Sequence, residues 1–439
     1  MPPKLLAQRP HYPMRQQFRY RILALLFVAT TINYIDRSII GVLAPTLRDH
    51  VFHWSVRDYS YITTAFQLAY AVGLLTVGSL VDRVGVKLGF TISIAIWSFF
   101  GAAHALIQPA FGLIGFIVAR MGLGFGESGI FPCTTKVIAE WFPQTQRGLA
   151  TGVVNASTNI GAILAPLLIP LFVAPDGRHW QFAFLFTSVF SALWVITWWR
   201  TYHAPAEHPS VSPEELALIR RDAIVQTERP LSWSAVAGCR ETWAFAILKL
   251  PDAAWWFYLF WAGTFLSDKF SLDISHLGLP LMAIFATADI GSIFGGWISG
   301  RLLKAGWSVN RARKTTLFGC AILVLPVTLV TSVHEAWLAV ALLGMAAAGH
   351  QAWSTNIYTI QSDLFPRKAL GSVIGIGGMV GSCVTMAAFL TLGHVIHKED
   401  PNSYFGPFLV AGLVYLVAFA GLQLLVPRLT PVDTAKLDR

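Results

Sequence analysis

The chain has 439 residues, of which 55% are hydrophobic and 13% charged, about half the charged share of a soluble globular protein, roughly 25%. So few charges cannot cover a water-facing surface of this size, which excludes a soluble fold and leaves most of the surface to lipid. The net charge of +9 is spread over short basic strips between apolar runs, a pattern that fits a positive-inside bias better than a nucleic-acid-binding face.

Taken in chain order, residues 1–20 form a polar, basic tail with Lys4, Arg9, Arg15 and Arg19, and no cleavable signal. A bilayer crossing needs about twenty apolar residues. That rule places spans near 21–47, 57–81, 87–108, 112–141, 147–173 and 180–201, then 243–267, 277–303, 314–333, 336–364, 369–396 and 404–427. The long polar stretch 202–242 separates a six-span half, 21–201, from a second, 243–427, and a tail follows at 428–439. In that linker, Ser212-Pro213-Glu214-Glu215 has the pattern of a capping box with proline at the first helical position, which predicts a short surface helix through Arg221. The sixteen tryptophans suit helix ends at two membrane interfaces.

Lys and Arg set the orientation. With the N-terminus inside, the inner segments hold Arg83, Lys87, Arg147, Arg220, Arg221, Arg229, Arg301, Lys304, Arg311, Arg313, Lys314, Arg367 and Lys368. The outer segments hold only Arg48, Arg57, Arg178, Lys269 and Lys398, so both termini are expected on the cytoplasmic side of a plasma (inner) membrane.

The halves resemble each other. Glu140-Trp141-Phe142-Pro143 with Gly148 recurs as Asp363-Leu364-Phe365-Pro366 with Gly371, 223 residues later, and Gly78 before Asp82-Arg83 has a counterpart in Gly296 before Gly300-Arg301. The expected fold is therefore an all-α integral membrane protein of twelve transmembrane helices in two six-helix pseudo-repeats. Parallel repeats of this kind place a substrate site between the halves near the midplane.

Ionisable groups inside spans are costly and mark a pathway by default. Asn33-Tyr34-Ile35-Asp36-Arg37 lies well inside the first span, and Arg120-Met-Gly-Leu-Gly-Phe-Gly126-Glu127 lies in the fourth. At about 1.5 Å per residue, Asp36 is roughly 16 Å and Arg120 roughly 12 Å from the outer surface, depths that allow the two to pair. Arg120 and Glu127, seven residues apart, share a helix face. Four such charges in one half exceed what packing alone requires.

Gly78-Ser-Leu-Val-Asp82-Arg83-Val-Gly-Val86-Lys87, between the second and third spans, resembles the signature loop of the major facilitator superfamily, except that Val86 stands where a basic residue is usual. Asp82 and Arg83 would then belong to a gating loop that latches one state. Tyr34-x-Asp36-Arg37, Gly126-Glu127, Phe131-Pro132, Lys136 and Glu140-Trp-Phe-Pro143 resemble the anion:cation symporter family within it. Asn155-Ala-Ser-Thr-Asn159-Ile-Gly161, Ala288-Asp289-Ile-Gly-Ser292, His350-Gln351-Ala-Trp-Ser354-Thr-Asn356 and Trp255-Trp256-Phe-Tyr258 are similar to its hexuronate-transporting branch, as is Gly375-Ile-Gly-Gly-Met379. Two departures stand out: Ile130 where that branch tends to have asparagine, and Ala262-Gly263-Thr264 in place of a Pro-Lys-type step.

The resemblance implies an organic-anion transporter coupled to protons. Arg37 would bind the substrate carboxylate, Asp36 and Glu127 with Arg120 would serve proton coupling, and Tyr34 and Tyr70 would contact the sugar. Asn155 and Asn159, one turn apart, suit either hydroxyl recognition or interhelical hydrogen bonding. Gln351, Ser354 and Tyr358 share a face of the tenth span and are candidate substrate contacts. His350 is either a satisfied hydrogen-bonder or a proton carrier, Lys136 with Glu140 forms an i,i+4 pair near the inner end, and Asp289 has no evident partner.

The expected activity is proton-coupled import of a hexuronate or related sugar acid by alternating access, in a monomer that uses no cofactor and no metal. The alternative within transporters is another carboxylate, an aldonate or a tartrate-like dicarboxylate, moved by exchange. A membrane enzyme would need a nucleophile–base pair, metal ligands or a phosphate loop, and the chain shows none of these patterns; the four cysteines have no ligand spacing.

Overall fold

The computed structural model describes residues 18–220, 236–365 and 367–432. Arg221, Arg229, Pro366 and the tail residues Lys4, Arg9 and Arg15 lie outside the described residues, as does the side chain of Asp82. In hydrocarbon every backbone polar group must be satisfied within its own segment, so apolar runs of this length fold as helices. The first half comprises α1 (Arg19–Thr46), α2 (Val56–Val84), α3 (Val86–Ala103), α4 (Gly112–Glu127), α5 (Ile130–Trp141), α6 (Gln144–Leu168) and α7 (Gln181–Thr201). The linker carries α8 (Pro213–Arg220). The second half comprises α9 (Arg240–Leu248), α10 (Asp252–Phe270), α11 (Ile274–Lys304), α12 (Val309–Val324), α13 (Ala336–Leu364), α14 (Arg367–Val395) and α15 (Phe405–Leu425).

Two spans are broken. The fourth is α4 and α5, interrupted at Ser128-Gly129, and the seventh is α9 and α10, interrupted at Lys249-Leu250-Pro251. Counting each pair once gives twelve crossings among the described residues, six in each half. Ten stretches qualify as crossings on length and composition alone. The seventh and tenth spans fall short because Lys249, Asp252, Asp268 and Lys269 dilute the first, and His350, Gln351, Asn356 and Gln361 the second. Between α2 and α3, Gly85 adopts φ +83°, a conformation open to glycine at little cost, and this turns the chain within one residue. The turn comes just after Asp82 and Arg83, which the structure places in the last turn of α2 rather than in a loop.

The linker helix forms, and the Ser212 hydroxyl accepts from the Glu215 amide at 3.2 Å. The other half of the expected capping box is redirected. The Glu215 carboxylate accepts from the amides of Phe18 at 2.9 Å and Arg19 at 3.1 Å, satisfying the open end of α1.

The halves meet in a tight seam at the face away from the linker. A Cβ on Gly41 would lie 2.5 Å from the Leu259 carbonyl oxygen, one on Gly278 2.7 Å from that of Pro166, and one on Gly393 against Ser60. Small residues here let the helix backbones of the two halves touch. The Tyr59 hydroxyl donates to the Phe260 carbonyl at 2.6 Å. An ion network crosses the same seam: Arg48 binds Asp268 at 2.5 Å and Asp49 at 2.7 Å, Lys398 binds Asp49 at 2.7 Å, and Tyr404 donates to Asp268 at 2.8 Å. The cross-half ion pairs that are described all lie at this face, so the protein is closed there.

Losing one charge-assisted contact costs about 1.5–3 kcal/mol, and 1.4 kcal/mol is about tenfold in an equilibrium. Asp268→Asn should therefore raise the fraction open at this face by about tenfold or more. A Ser60→Cys probe in a cysteine-free background should react correspondingly faster with an impermeant maleimide. An unchanged labelling rate would show that the network does not hold the seam.

Candidate functional site

Arg37 sits about two thirds of the way along α1 and is 1% exposed. Its Nε donates to Glu127 Oε2 at 2.7 Å, and its Nη2 lies 3.5 Å from Asn33 Oδ1, one helical turn earlier. Glu127 is the last residue of α4, immediately before the break at Ser128-Gly129, and is fully buried. Its reach depends on close helix approach. A Cβ on Gly124 would lie 2.5 Å from the Phe66 carbonyl of α2, and one on Gly126 2.6 Å from the Trp97 amide of α3. These glycines let α4 sink against its neighbours and carry the carboxylate to Arg37.

Aromatic rings wall the guanidinium. Its carbon is 4.9 Å from the ring centroids of Tyr34 and Tyr70, 5.5 Å from Phe66 and 5.2 Å from Trp256. Trp256 belongs to α10 in the second half, so the site spans the junction of the halves. Ring faces attract a cation without offering it a hydrogen-bond acceptor, which leaves Glu127 as the charged partner of Arg37 here.

Asp36 and Arg120 do not form the pair their depths allow. Consecutive helical residues point about 100° apart, so while Arg37 faces α2 and α4, Asp36 faces Thr187 and Ser191 of α7. Its Oδ2 has no hydrogen-bond partner. Arg120 lies with its guanidinium carbon 4.5 Å from the Phe66 ring and 5.7 Å from that of Phe260, and its three nitrogens have no hydrogen-bond partner. Equal depth did not reveal azimuth, and azimuth decides the pairing.

The remaining candidates divide. Tyr34 and Tyr70 lie against Arg37. Asn155 is exposed on α6 and Asn159 half-buried, with no hydrogen bond joining either to the Arg37 cluster. Gln351 and Ser354 are half-buried on α13, in line with exposed Tyr358. His350 is a satisfied hydrogen-bonder, its Nδ1 2.7 Å from the Tyr415 hydroxyl and its ring stacked on Trp255. Asn356 braces α13 against α11 through the Gly295 carbonyl at 3.1 Å. Glu140 accepts from Tyr202 at 2.5 Å, Asp289 Oδ1 has no hydrogen-bond partner, and Arg83 is exposed beside the Gly85 turn.

One cluster escaped the sequence reading. Buried Lys249 forms an ion pair with Asp252 across the break in the seventh span, and its ammonium lies 3.4 Å from the Tyr358 hydroxyl. The available signal was Lys249-Leu-Pro251-Asp252, a charge–proline step at the head of an apolar run.

A family model described as the Major Facilitator Superfamily matches residues 26–390. The chain belongs to that superfamily. Among curated members it is 29% identical over 369 residues to the hexuronate transporter of Escherichia coli (strain K12), covering 82% of this chain and 84% of the relative. It is 29% identical over 321 residues to the galacturonate transporter of Dickeya chrysanthemi, covering 71% and 90%. To the probable galactarate/D-glucarate transporter GudP of Bacillus subtilis (strain 168) it is 26% identical over 444 residues, covering 96% and 94%. Solved structures share the fold. A D-xylose-proton symporter superposes with a TM-score of 0.75 at 12% identity, over 94% of this chain and 99% of that one. A bacterial Spinster homologue in an inward-facing, occupied conformation gives 0.73 at 16%, over 93% and 97%.

As a major facilitator protein, the chain is a multi-pass membrane transporter of small solutes, and its buried pair has an energetic consequence of its own. Removing one partner of a buried ion pair strands the other and costs about 3–5 kcal/mol, whereas replacing both with apolar groups is far milder. Glu127→Ala should lower the melting temperature in detergent substantially, and Arg37→Met combined with Glu127→Met should recover most of that loss. A Glu127→Ala protein as stable as the native one would remove the pair from the account of the fold.

Proposed function

We propose that this transporter imports a hexuronate or related sugar acid together with protons, by rocking of its two six-helix halves, with both termini cytoplasmic and a single chain as the functional unit. The observation that carries the reading is the buried Arg37–Glu127 pair at the junction of the halves. A planar guanidinium suits bidentate recognition of a carboxylate, and the carboxylate it holds belongs to the protein. A substrate carboxylate and Glu127 therefore compete for one cation. A proton on Glu127 removes its negative charge and hands Arg37 to the substrate, so binding and protonation favour each other. Asp36, with an oxygen lacking a partner and no cation upon it, is the second group for proton coupling, and Arg120 balances its charge through the field within the same core. Tyr34 and Tyr70 flank the carboxylate position, and Gln351 and Ser354 offer contacts to substrate hydroxyls from the opposite half, as Asn155 and Asn159 do from α6. Asp82 and Arg83 act as the gating loop. The similarity to curated hexuronate and galacturonate transporters supports the substrate class.

Two substitutions test separate parts. Arg37→Lys keeps the charge and loses the fork, a loss of about 1.5–3 kcal/mol, so uptake of glucuronate or galacturonate into proteoliposomes should fall by one to two orders of magnitude in a protein that still inserts. Near-normal uptake would sink the carboxylate assignment.

Glu127→Gln retains an oxygen that can accept from Arg37 and cannot titrate. Accumulation driven by an imposed pH gradient should be lost, while counterflow exchange of labelled against unlabelled sugar acid persists. A variant that still concentrates substrate when a pH gradient is applied would show that the coupling group is elsewhere.

A further inference from the structure

The second buried cation has no part in the mechanism above. Lys249 is 6% exposed within a span, where ionisable groups face a pathway by default. It lies at the Pro251 break between α9 and α10, and interrupted helices are where transporters of this architecture place binding groups. Its ammonium touches Asp252 and lies 3.4 Å from the Tyr358 hydroxyl and 5.1 Å from that ring's centroid. Gly377 and Gly381 of α14 leave room for it: a Cβ on Gly377 would come within 3.3 Å of Lys249 Cγ, and one on Gly381 within 3.4 Å of Asp252 Oδ2.

The position of this cation relative to Arg37 follows from α10. Asp252 and Trp256 are four residues apart on one face, about 6 Å along the axis, and Trp256 lies over the Arg37 guanidinium. Tyr358, which touches Lys249, is within electrostatic range of Tyr34 and Tyr70, the rings that flank Arg37. Tyr358 is 43% exposed and the Asp252 side chain 19%, so the Lys249 cluster is not sealed inside the packed core. Arg37 from the first half and Lys249 from the second thus both lie against α10, on either side of its first turn, each paired with a carboxylate of the protein.

We propose that Lys249 with Tyr358 is a second carboxylate subsite and that the substrate is a six-carbon sugar diacid, an inference that rests on the sugar-acid reading above and on Arg37 as the first subsite. A hexuronate has a carboxylate for one of the cations and a neutral end for the other. An extended hexaric acid has a carboxylate at each end of its four-carbon polyol chain, one for each cation, with its hydroxyls directed at Gln351 and Ser354. When the second carboxylate binds, Lys249 exchanges Asp252 for the substrate, and Asp252 stays solvated through its exposed edge. If Lys249–Asp252 served only to staple the helix break, it would not distinguish a diacid from a monoacid.

Galactarate and galacturonate share a carbon skeleton and differ at one end, which makes them the probes. The purified full-length protein in proteoliposomes should take up galactarate with a half-saturation concentration at least tenfold below that for galacturonate, about 1.4 kcal/mol. Lys249→Gln should abolish that preference, Lys249→Arg should restore it, and Arg37→Lys should weaken both acids. A native protein that favours galacturonate, or a Lys249→Gln variant that changes both acids in proportion, overturns the second subsite and leaves the sugar-acid reading standing. Uptake of neither acid overturns that reading and this one together. The native preference decides the matter even if Lys249→Gln fails to fold.

Discussion

Charge balance inside a dry core governs this molecule. Asp36, Arg37, Arg120 and Glu127 are buried together in the first half, two of each sign, and Lys249 with Asp252 forms a second neutral set. In a medium of low dielectric an uncompensated ion is expensive enough to be avoided, so each set tolerates rearrangement of its partners and resists a change in its sum. An incoming anion is such a change. In the proton-coupled transport proposed above, the core would accept it when a proton arrives with it, and that requirement would couple two solutes without any direct contact between them. The protein's contribution to that mechanism would be a titratable carboxylate placed on the cation that the substrate needs.

The architecture supplies that placement through imperfections in otherwise regular helices. A continuous fourth span would carry Glu127 past Arg37 in an unbroken ladder of backbone bonds. The break at Ser128-Gly129 ends α4 at the carboxylate itself, and the glycines before it let α4 close on α2 and α3. The seventh span breaks at Pro251 beside Lys249. Each half thus has a fracture next to a buried cation, and the aromatic rings of Tyr34, Tyr70 and Trp256 stand around Arg37 with faces that accept a cation's field. Away from this centre the helices are uninterrupted over long stretches, and the seam at the far face is closed by glycine contacts and by the Arg48–Asp268 network.

Much of this was legible in the amino-acid sequence, for a physical reason. Lipid makes charge conspicuous, so Arg37, Glu127, Asp36 and Arg120 stand out from the apolar runs that contain them, and the crossings follow from run length, though polar residues dilute the seventh and tenth. Rotation about the helix axis was not legible: equal depth suggested Asp36 with Arg120, whereas the 100° between neighbours turns Asp36 towards Thr187 and Ser191. Charges near span ends were misleading in another way. Lys249, Asp252, Arg48 and Asp268 look like ordinary interface residues because a helix end is where charges usually meet water, and only packing shows that Lys249 and Arg48 are buried. Lys249 also sits against glycines of α14 more than a hundred residues away, a contact that no local pattern encodes.

The bond between Glu215 and the start of α1 sets an order of assembly. The amides of Phe18 and Arg19 receive their acceptor from a residue 196 to 197 positions later. At a synthesis rate of about 5–20 residues per second, the first helix waits roughly 10–40 s for its cap, while five further spans are made and inserted. During that interval its first turn must draw on water or on the translocation machinery. The first half is therefore closed off only when the linker emerges, and the linker, by fastening itself to residue 18, brings the chain back to its beginning before the second half is built.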